Sequence, residues 1–289
     1  MASSRVPNSA AERGSAEVAT NEVPETSLTR VLGLKVNRIV IDPGHGGYDT
    51  GTIGPHGLVE KDLCLDIASR LGRRIESVPG AKVMYTRTDD TYVSLEERTA
   101  IANRANADLF ISIHANSSDS PQARGVETYY LGLVRSGDSL ADAIRENALA
   151  KSPLHDLPDL LKNVARNDEI AESKQLATEI QNALTQELQV VSRRETNRGV
   201  KQAPFVVLAG AEMPSVLSEI SFVSNSADEG LLWKGPQRER IAEGLYRGIV
   251  AYIDSLHGST AEKRTLASEN GADKPFELSI TVAKQANPN

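Results

Sequence analysis

The stretch Arg38–Gly47 reads RIVIDPGHGG, an apolar run that ends in a sharp turn carrying a histidine. Short apolar runs closed by Pro and Gly are typical of buried strands, so this stretch predicts a strand that ends just before His45. Five further runs of the same kind follow along the chain: Lys82–Arg87, Leu109–His114, Glu127–Leu131, Pro204–Leu208 and Ser215–Ile220. Together the runs predict six strands.

Amphipathic segments between the runs predict helices. In Lys61–Ser77, apolar side chains recur at every fourth position from Leu63 to Ile75, which forms one apolar stripe along a helix. The other predicted helices are Ser94–Ala105, Glu172–Val191 and Gln237–Leu256. Strands that alternate with helices indicate an α/β layer fold with a mainly parallel or mixed sheet.

The composition divides the chain into three parts. Residues 1–35 are small, polar and Pro-containing, which predicts a disordered leader, and no apolar segment typical of a signal peptide follows Arg5. Residues 36–256 contain every predicted strand and helix without an internal repeat, which predicts a single domain. Residues 257–289 are polar again and predict a flexible tail. No apolar run is long enough to span a membrane.

Charge and cysteine content exclude some classes of protein. The formal net charge of -7 argues against a nucleic-acid partner. Cys64 is the only cysteine, so no intrachain disulfide can form. Its position within the apolar stripe of a helix favours a packed side chain over a nucleophile. We expect a monomer.

Four residues could bind a metal or move a proton. His45, His114 and Glu219 each lie at or near the end of an apolar run, and Glu60 directly precedes the predicted helix Lys61–Ser77, after a Gly-rich loop. The carboxyl ends of strands in an α/β sheet converge on a crevice, and two imidazoles with one carboxylate form a common catalytic zinc set. Each residue alone has an ordinary alternative, since a histidine after a strand is often structural and Glu60 could simply favour the helix start. Because the candidates come from separate elements, their spacing excludes a single-helix H-E-x-x-H site. Spacing alone does not identify a metal site built from separate elements.

Six sequence boxes occur in a fixed order along the chain: Ile41–Gly47 (IDPGHGG), Glu60–Asp62 (EKD), Thr86–Arg87 (TR), Phe110–Asn116 (FISIHAN), Asn197–Lys201 (NRGVK) and Met213–Asn225 (MPSVLSEISFVSN). In this order the boxes resemble the zinc-dependent N-acetylmuramoyl-L-alanine amidases of bacterial cell-wall remodelling, and the resemblance covers nearly the whole core. It implies a single α/β domain with a twisted, mixed six-stranded sheet flanked by helices. It also implies hydrolysis of the amide between N-acetylmuramic acid and L-alanine in peptidoglycan, in the periplasm or cell envelope.

The resemblance assigns roles to the four candidates. It implies that His45, Glu60 and His114 hold Zn²⁺ and that Glu219 is the catalytic acid and base. Asn116 and Arg198 are weaker candidates for contacts with the substrate, because an Asn that closes a strand is equally a turn residue and an Arg before a Gly turn can be a surface residue.

The segment 132–171 extends the connection after the fourth run well beyond an ordinary loop, with helix-like pieces at Asp138–Lys151 and Leu157–Arg166. In amidases that act at cell division, a comparable insertion blocks the zinc cleft until an activator protein displaces it, and the resemblance implies the same regulation here. The candidates for a glutamate on the open zinc position are Glu146, Glu169 and Glu172. The alternative is an ordinary helical elaboration whose acids face solvent.

Two other functions stay open. A zinc peptidase or carboxypeptidase that acts on the stem peptide would share the metal chemistry but carry different boxes. A non-catalytic wall-binding module on the same scaffold would have lost a metal ligand or the acid, whereas all four candidates are present in this chain.

Overall fold

The computed structural model describes residues 36–132, 137–150, 167–190 and 197–268, with the backbone alone for residues 138, 167–168 and 257–268. Six strands form one sheet in the order β2-β1-β3-β6-β4-β5. Their bounds are β1 Arg38–Pro43, β2 Lys82–Tyr85, β3 Leu109–Asn116, β4 Val126–Leu131, β5 Asn197–Ala203 and β6 Ser215–Phe222. Neighbouring strands are parallel except β4 and β6, which are antiparallel, so the predicted mixed sheet is confirmed.

Helices cover both faces of this sheet. Their bounds are α1 Glu60–Glu76, α2 Leu95–Arg104, α3 Gly137–Glu146, α4 Asn167–Gln189, α5 Ser226–Leu232 and α6 Gly235–Ser268. One apolar cluster joins α1, α4 and α6 to one face of the sheet, and a second joins α2 and the 3-10 turn Val206–Leu208 to the other. The predicted α/β class is confirmed. No helix in the described ranges combines the length and the apolar character needed to cross a bilayer.

Successive side chains of β1 point alternately to the two faces of the sheet. Ile39 and Ile41 belong to the cluster under α1, α4 and α6, whereas Val40 belongs to the cluster under α2. β3 lies inside the sheet and is buried along its whole length. Because β1, β3 and β6 run parallel, their carboxyl ends meet at one edge, where side chains from separate strands can converge.

One predicted strand is wrong. Pro204–Leu208 was expected to form a strand, but the structure has a 3-10 turn at Val206–Leu208, and the sixth strand is β5, Asn197–Ala203. β5 is an edge strand whose side chains are mostly half-buried, so it lacks an apolar run. The run Pro204–Leu208 is apolar because Phe205 and Leu208 pack in the cluster under α2. The short helix α5 was not predicted.

The insert and the tail also differ from expectation. The first helix-like piece of the segment 132–171 corresponds to α3. The last five residues of that segment, 167–171, already belong to α4. The flexible tail predicted from residue 257 is corrected for residues 257–268, which continue α6 as helix. The predicted leader (1–35), the second helix-like piece of the insert (157–166) and residues 269–289 lie outside the described residues.

Candidate metal centre

Four side chains meet at the carboxyl ends of β1 and β3. His45 follows β1, His114 lies near the end of β3, Glu60 begins α1 and Glu146 ends α3. His45 Nε2 lies 3.0 Å from Glu60 Oε1 and 3.4 Å from Glu146 Oε2. His114 Nδ1 lies 2.9 Å from Glu146 Oε2 and 3.4 Å from Glu60 Oε1. The structure thus brings together the three ligands implied by the resemblance and adds Glu146.

The distances between the histidine and glutamate donor atoms match those in a tetrahedral zinc site. Donors about 2.0–2.1 Å from zinc lie about 3.4 Å apart at the corners of a tetrahedron, and the contacts between the His and Glu atoms span 2.9 to 3.4 Å. His45 Nε2, His114 Nδ1 and Glu146 Oε2 are buried without a hydrogen-bond partner in the described part of the chain. Buried polar atoms without partners are costly, and an ion between these atoms would satisfy all three.

Two arginines hold the turn that presents His45. Arg98 donates to Pro43 O at 2.7 Å and to His45 O at 2.7 Å, and Arg87 donates to Pro43 O at 3.0 Å and to Gly44 O at 2.7 Å. His45 has a φ of 59°, in the left-handed region. A non-glycine residue there costs about 1–3 kcal/mol, and hydrogen bonds to three successive carbonyls offset this strain.

Two glycines leave space for the ligands. A Cβ atom on Gly44 would lie 2.5 Å from the ring of His114. A Cβ atom on Gly51 would lie 2.6 Å from the ring of His45 and 2.7 Å from Glu60 Oε2. Any larger residue at either position would therefore displace a side chain of the cluster.

Further contacts orient His45 and Glu60. His45 Nδ1 lies 3.0 Å from Asp49 Oδ1, and a carboxylate on the second nitrogen of an imidazole fixes its tautomer and its ring orientation. Glu60 accepts hydrogen bonds from the backbone nitrogens of Ala115 at 2.9 Å and Thr52 at 2.8 Å. Asp49 was not predicted as a site residue, although its position four residues after His45 in the same turn was a usable signal.

The electrostatics of the cluster favour a bound cation. Burial lowers the pKa of His45, but Glu60, Asp49 and Glu146 outweigh burial and raise it to about 10. The pKa of His114 is also raised to about 10, against burial, by Glu146 and Glu60. Burial raises the pKa of Glu60, but the two histidines outweigh it and hold that pKa well below its usual range. A divalent cation would supply the positive charge that protons supply without it.

Glu219 lies beside the cluster and makes no hydrogen bond with its carboxylate to any described residue. It is fully buried and is the register partner of His114 across the parallel pair β3–β6. Burial and the charges of Glu146 and Glu60 raise the pKa of Glu219 well above its usual range, although Arg145 lowers it. A carboxyl group in such surroundings holds a proton more readily than an exposed one, which suits a group that moves protons.

A polar network continues from the cluster towards β5. Glu127 is the register partner of Glu219 across β4–β6 and is fully buried. Its carboxylate accepts hydrogen bonds from Asn116 Nδ2 at 2.5 Å, from Arg198 Nε at 2.9 Å and from Lys201 Nζ. Both weaker substrate candidates, Asn116 and Arg198, are therefore held by one buried carboxylate. Glu127 and Lys201 were not predicted as site residues, although the charge of Glu127 within an apolar strand was a usable signal.

Helix α3 is fastened over the cluster by its last residues. Arg145 Nη2 donates to Asn116 Oδ1 at 2.5 Å and to Asp142 Oδ1 at 2.8 Å. The hydroxyl of Tyr129 donates to Asp142 Oδ2 at 2.6 Å. The side chain of Glu146 is 5% exposed, so the end of α3 shields the donor atoms from solvent.

The other two acids proposed for the open zinc position lie elsewhere. Glu169 lines a small cavity with Met213 and Ser215 at the start of β6, away from Glu219. Glu172 is a buried residue of α4 and does not belong to the donor group found among the described residues. Of the three candidates, the structure places only Glu146 in the cluster.

Comparison with known proteins identifies the family. The family model described as N-acetylmuramoyl-L-alanine amidase matches residues 39–251, a range that contains the whole cluster. The chain belongs to this amidase family. It is 37% identical over 214 residues to the amidase LytC of Bacillus subtilis. The aligned region covers 74% of this chain and 35% of LytC. It is also 35% identical over 235 residues to the amidase AmiA of Escherichia coli. This aligned region covers 78% of this chain and 79% of AmiA. The part of LytC that this chain matches is therefore about a third of the length of LytC.

Solved structures of amidases share the fold. An N-acetylmuramoyl-L-alanine amidase from Clostridium difficile 630 matches with a TM-score of 0.60 and 29% identity, over 77% of this chain and 99% of that one. The CwlD amidase from Clostridioides difficile, solved in complex with the GerS lipoprotein, matches with a TM-score of 0.58 and 26% identity, over 76% and 99%. The amidase family and the fold that the six sequence boxes imply are both confirmed.

Proposed function

We propose that this amidase hydrolyses the amide between N-acetylmuramic acid and L-alanine in peptidoglycan, with zinc held by His45, Glu60 and His114. The observation that carries the proposal is the buried set of donor atoms, all within 4.8 Å of one another, at the strand ends of a chain of this family. Zinc bound there would supply an acidified water and a Lewis acid for the amide carbonyl.

Glu219 moves the protons in this proposal. Its carboxylate accepts the proton of the attacking water and delivers it to the departing nitrogen of L-alanine. Three features support this role: register pairing with His114, full burial, and a carboxylate that no described residue engages. A raised pKa makes the Glu219 carboxylate a better acceptor for the proton of the attacking water.

Asn116 and Arg198 contact the peptide half of the substrate in this proposal. The Nε atom of Arg198 is committed to Glu127, and its guanidinium lies over the ring of Phe222, 5.0 Å from the centroid. These two contacts fix the guanidinium plane, and a fixed fork of donors suits a carboxylate of the stem peptide. Asn116 links this side to the cluster, because it follows His114 on β3.

Helix α3 inhibits the enzyme in this proposal. With Glu146 on the position that water needs, zinc would have four protein ligands and no open site. An activator protein that binds the open state preferentially would release α3, by as much as its affinities for the two states differ. The structure of CwlD with GerS supports the expectation that amidases of this fold bind partner proteins. The amidase would act as a monomer in the periplasm or cell envelope.

Digestion of purified sacculi tests the proposed reaction. The Glu146→Gln variant, loaded with zinc, should release peptides that begin with L-alanine and leave intact muramic acid, as identified by mass spectrometry. A chelator should abolish the release, and so should His114→Ala. Release of D-alanine from the end of the stem peptide would favour the carboxypeptidase alternative, and release that a chelator leaves unchanged would contradict the zinc mechanism.

A further inference from the structure

A pair of stacked aromatic rings, one exposed and one half-buried, lies beside the metal centre. Tyr48 is 73% exposed, and its ring stacks on Tyr92 with the centroids 4.3 Å apart and an angle of 29° between the planes. Burial and the neighbouring Tyr48 raise the pKa of Tyr92 to about 12, so the ring of Tyr92 stays uncharged at neutral pH. Scattered exposed apolar residues are ordinary, but rings held together at the surface offer a flat apolar face to a ligand.

The turn that carries Tyr48 is fixed by hydrogen bonds. Gly46 and Asp49 exchange two backbone hydrogen bonds of 2.8 and 3.2 Å. Gly47 N donates to Asp90 Oδ1 at 2.8 Å, which fastens the turn to the segment that contains Tyr92. The exposed ring is therefore held in place before any ligand binds, which lowers the entropy that binding costs.

The same turn is part of the metal centre. His45 directly precedes Gly46, and His45 Nδ1 contacts Asp49 at the other end of the turn. The aromatic pair lies between the turn after β1 and the segment after β2, while the cationic Arg198 and Lys201 belong to β5 at the opposite edge of the sheet. The centre thus has an aromatic side and a cationic side.

We propose that the Tyr48–Tyr92 pair is a sugar subsite that takes the ring of an N-acetylhexosamine in the glycan strand. The inference rests on the proposed function. In that substrate a short lactyl ether joins the sugar to the scissile amide, so a sugar ring must lie next to the metal whenever the amide is bound. The C–H face of a pyranose packs against aromatic rings, whereas the anionic stem peptide suits the cationic side. The substrate lies with its sugar towards β2 and its peptide towards β5.

The subsite is accessible while α3 is closed. Tyr48 remains 73% exposed in the same structure in which Glu146 contacts both histidines. The inhibited enzyme therefore binds glycan before any activator acts, which lets binding be measured without hydrolysis.

Calorimetric titration of the zinc-loaded, 289-residue chain with peptide-free oligosaccharides of alternating N-acetylglucosamine and N-acetylmuramic acid tests the subsite. Tyr48→Ala should weaken binding about tenfold, or about 1.4 kcal/mol. Tyr48→Phe should bind like the unchanged chain, because it keeps the stacked ring. Trp233→Ala is the matched control: Trp233 is 53% exposed, lies after α5, and should not affect binding. No binding by the unchanged chain, or equal binding by Tyr48→Ala with unaltered zinc content and circular dichroism, overturns the inference.

The same variants separate this inference from the proposed reaction. If Tyr48→Ala loses glycan binding while Glu146→Gln fails to cleave sacculi, the sugar subsite stands and the proposed hydrolysis fails. If sacculi are cleaved at the muramoyl amide while glycan binding ignores Tyr48, the hydrolysis stands and the subsite fails. Free stem peptide should bind Glu146→Gln equally well with and without Tyr48→Ala, and a loss of both ligands on adding Tyr48→Ala would overturn the subsite by showing a general defect.

Discussion

Glu219 and Glu127 are paired across β4–β6 and are both fully buried, yet their surroundings are opposite. The carboxylate of Glu127 accepts hydrogen bonds from Asn116, Arg198 and Lys201. Glu219 has no such donor among the described residues, and nearby carboxylates oppose its ionisation. Burying a carboxyl group that has no hydrogen-bond donor costs free energy of folding, which favours a chemical role for Glu219. The donors around Glu127 favour a positioning role for that residue.

Glu219→Gln should separate metal binding from proton transfer. The substitution keeps the shape of the side chain and removes the proton acceptor, while the donor group does not include this residue. Zinc should stay bound at one ion per chain, and turnover in an activated background such as Glu146→Gln should fall about two to four orders of magnitude. Near-unchanged turnover would show that another group handles the proton.

Asp49→Ala should weaken zinc binding without removing a ligand. Asp49 contacts His45 Nδ1 at 3.0 Å, and loss of such a partner typically lowers metal affinity about 10- to 100-fold. Competition with a fluorescent chelator measures the affinity, and turnover at saturating zinc should recover in an activated background. Asp66→Ala is a suitable control, because Asp66 pairs with Arg70 and Arg238 on α1 and α6 instead. Equal losses in both variants would contradict a specific role for Asp49.

At the scale of elements, α3 is held by polar contacts near its end. Arg145 and Glu146 reach Asn116 and the two histidines, and Asp142 accepts the hydroxyl of Tyr129. Ala143 is the one α3 residue in the apolar cluster under α2 among those described. An element with so little apolar burial can move away at a moderate cost, which suits a helix that must be released.

Glu146→Gln should raise basal hydrolysis of sacculi. The change removes the negative charge that faces both histidines, and a tenfold rise in basal rate corresponds to a shift of about 1.4 kcal/mol between closed and open states. Dye release from labelled sacculi measures the rate. Glu169→Gln should leave the rate unchanged, because Glu169 belongs to α4 and lines a cavity near the start of β6, outside the metal centre. A Gly/Ser linker in place of residues 133–166 should also raise the rate while preserving α4. No rise in either variant, with zinc retained, would show that α3 is structural.

The sequence predicted some elements better than others for physical reasons. Arg38–Ile41 and Leu109–His114 are interior strands, and burial on both faces leaves an apolar run that can be recognised. β5 escaped notice because an edge strand needs no such run. The candidate ligands His45, Glu60 and His114 were found through motifs, whereas the choice of Glu146 over Glu169 and Glu172 depends on how α3 and α4 pack. That packing has no local signal in the sequence.

At the scale of the whole molecule, the metal centre couples the stability of the sheet to pH. Two strand ends, one helix start and one helix end contribute its four donors, so their charges act on elements that are far apart in sequence. Without metal, the pKa values of His45 and His114 are raised to about 10, against about 6.5 for an unfolded chain. The folded state therefore binds these protons more tightly than the unfolded state.

The metal-free protein should lose stability as the pH rises from about 6.5 to about 10. A folded-state pKa above the unfolded value contributes stability that is fully present below pH about 6.5 and is lost as the pH rises through the folded value of about 10. The raised pKa of Glu219 acts in the same direction, because its ionisation at higher pH is less favourable in the folded state. Urea unfolding in chelator, followed by circular dichroism across this range, should show a falling midpoint. Zinc-loaded protein should show a much smaller fall, because metal-bound imidazoles hold no protons to lose. A midpoint in chelator that stays level or rises would mean that the two histidines are not charged together in the metal-free fold.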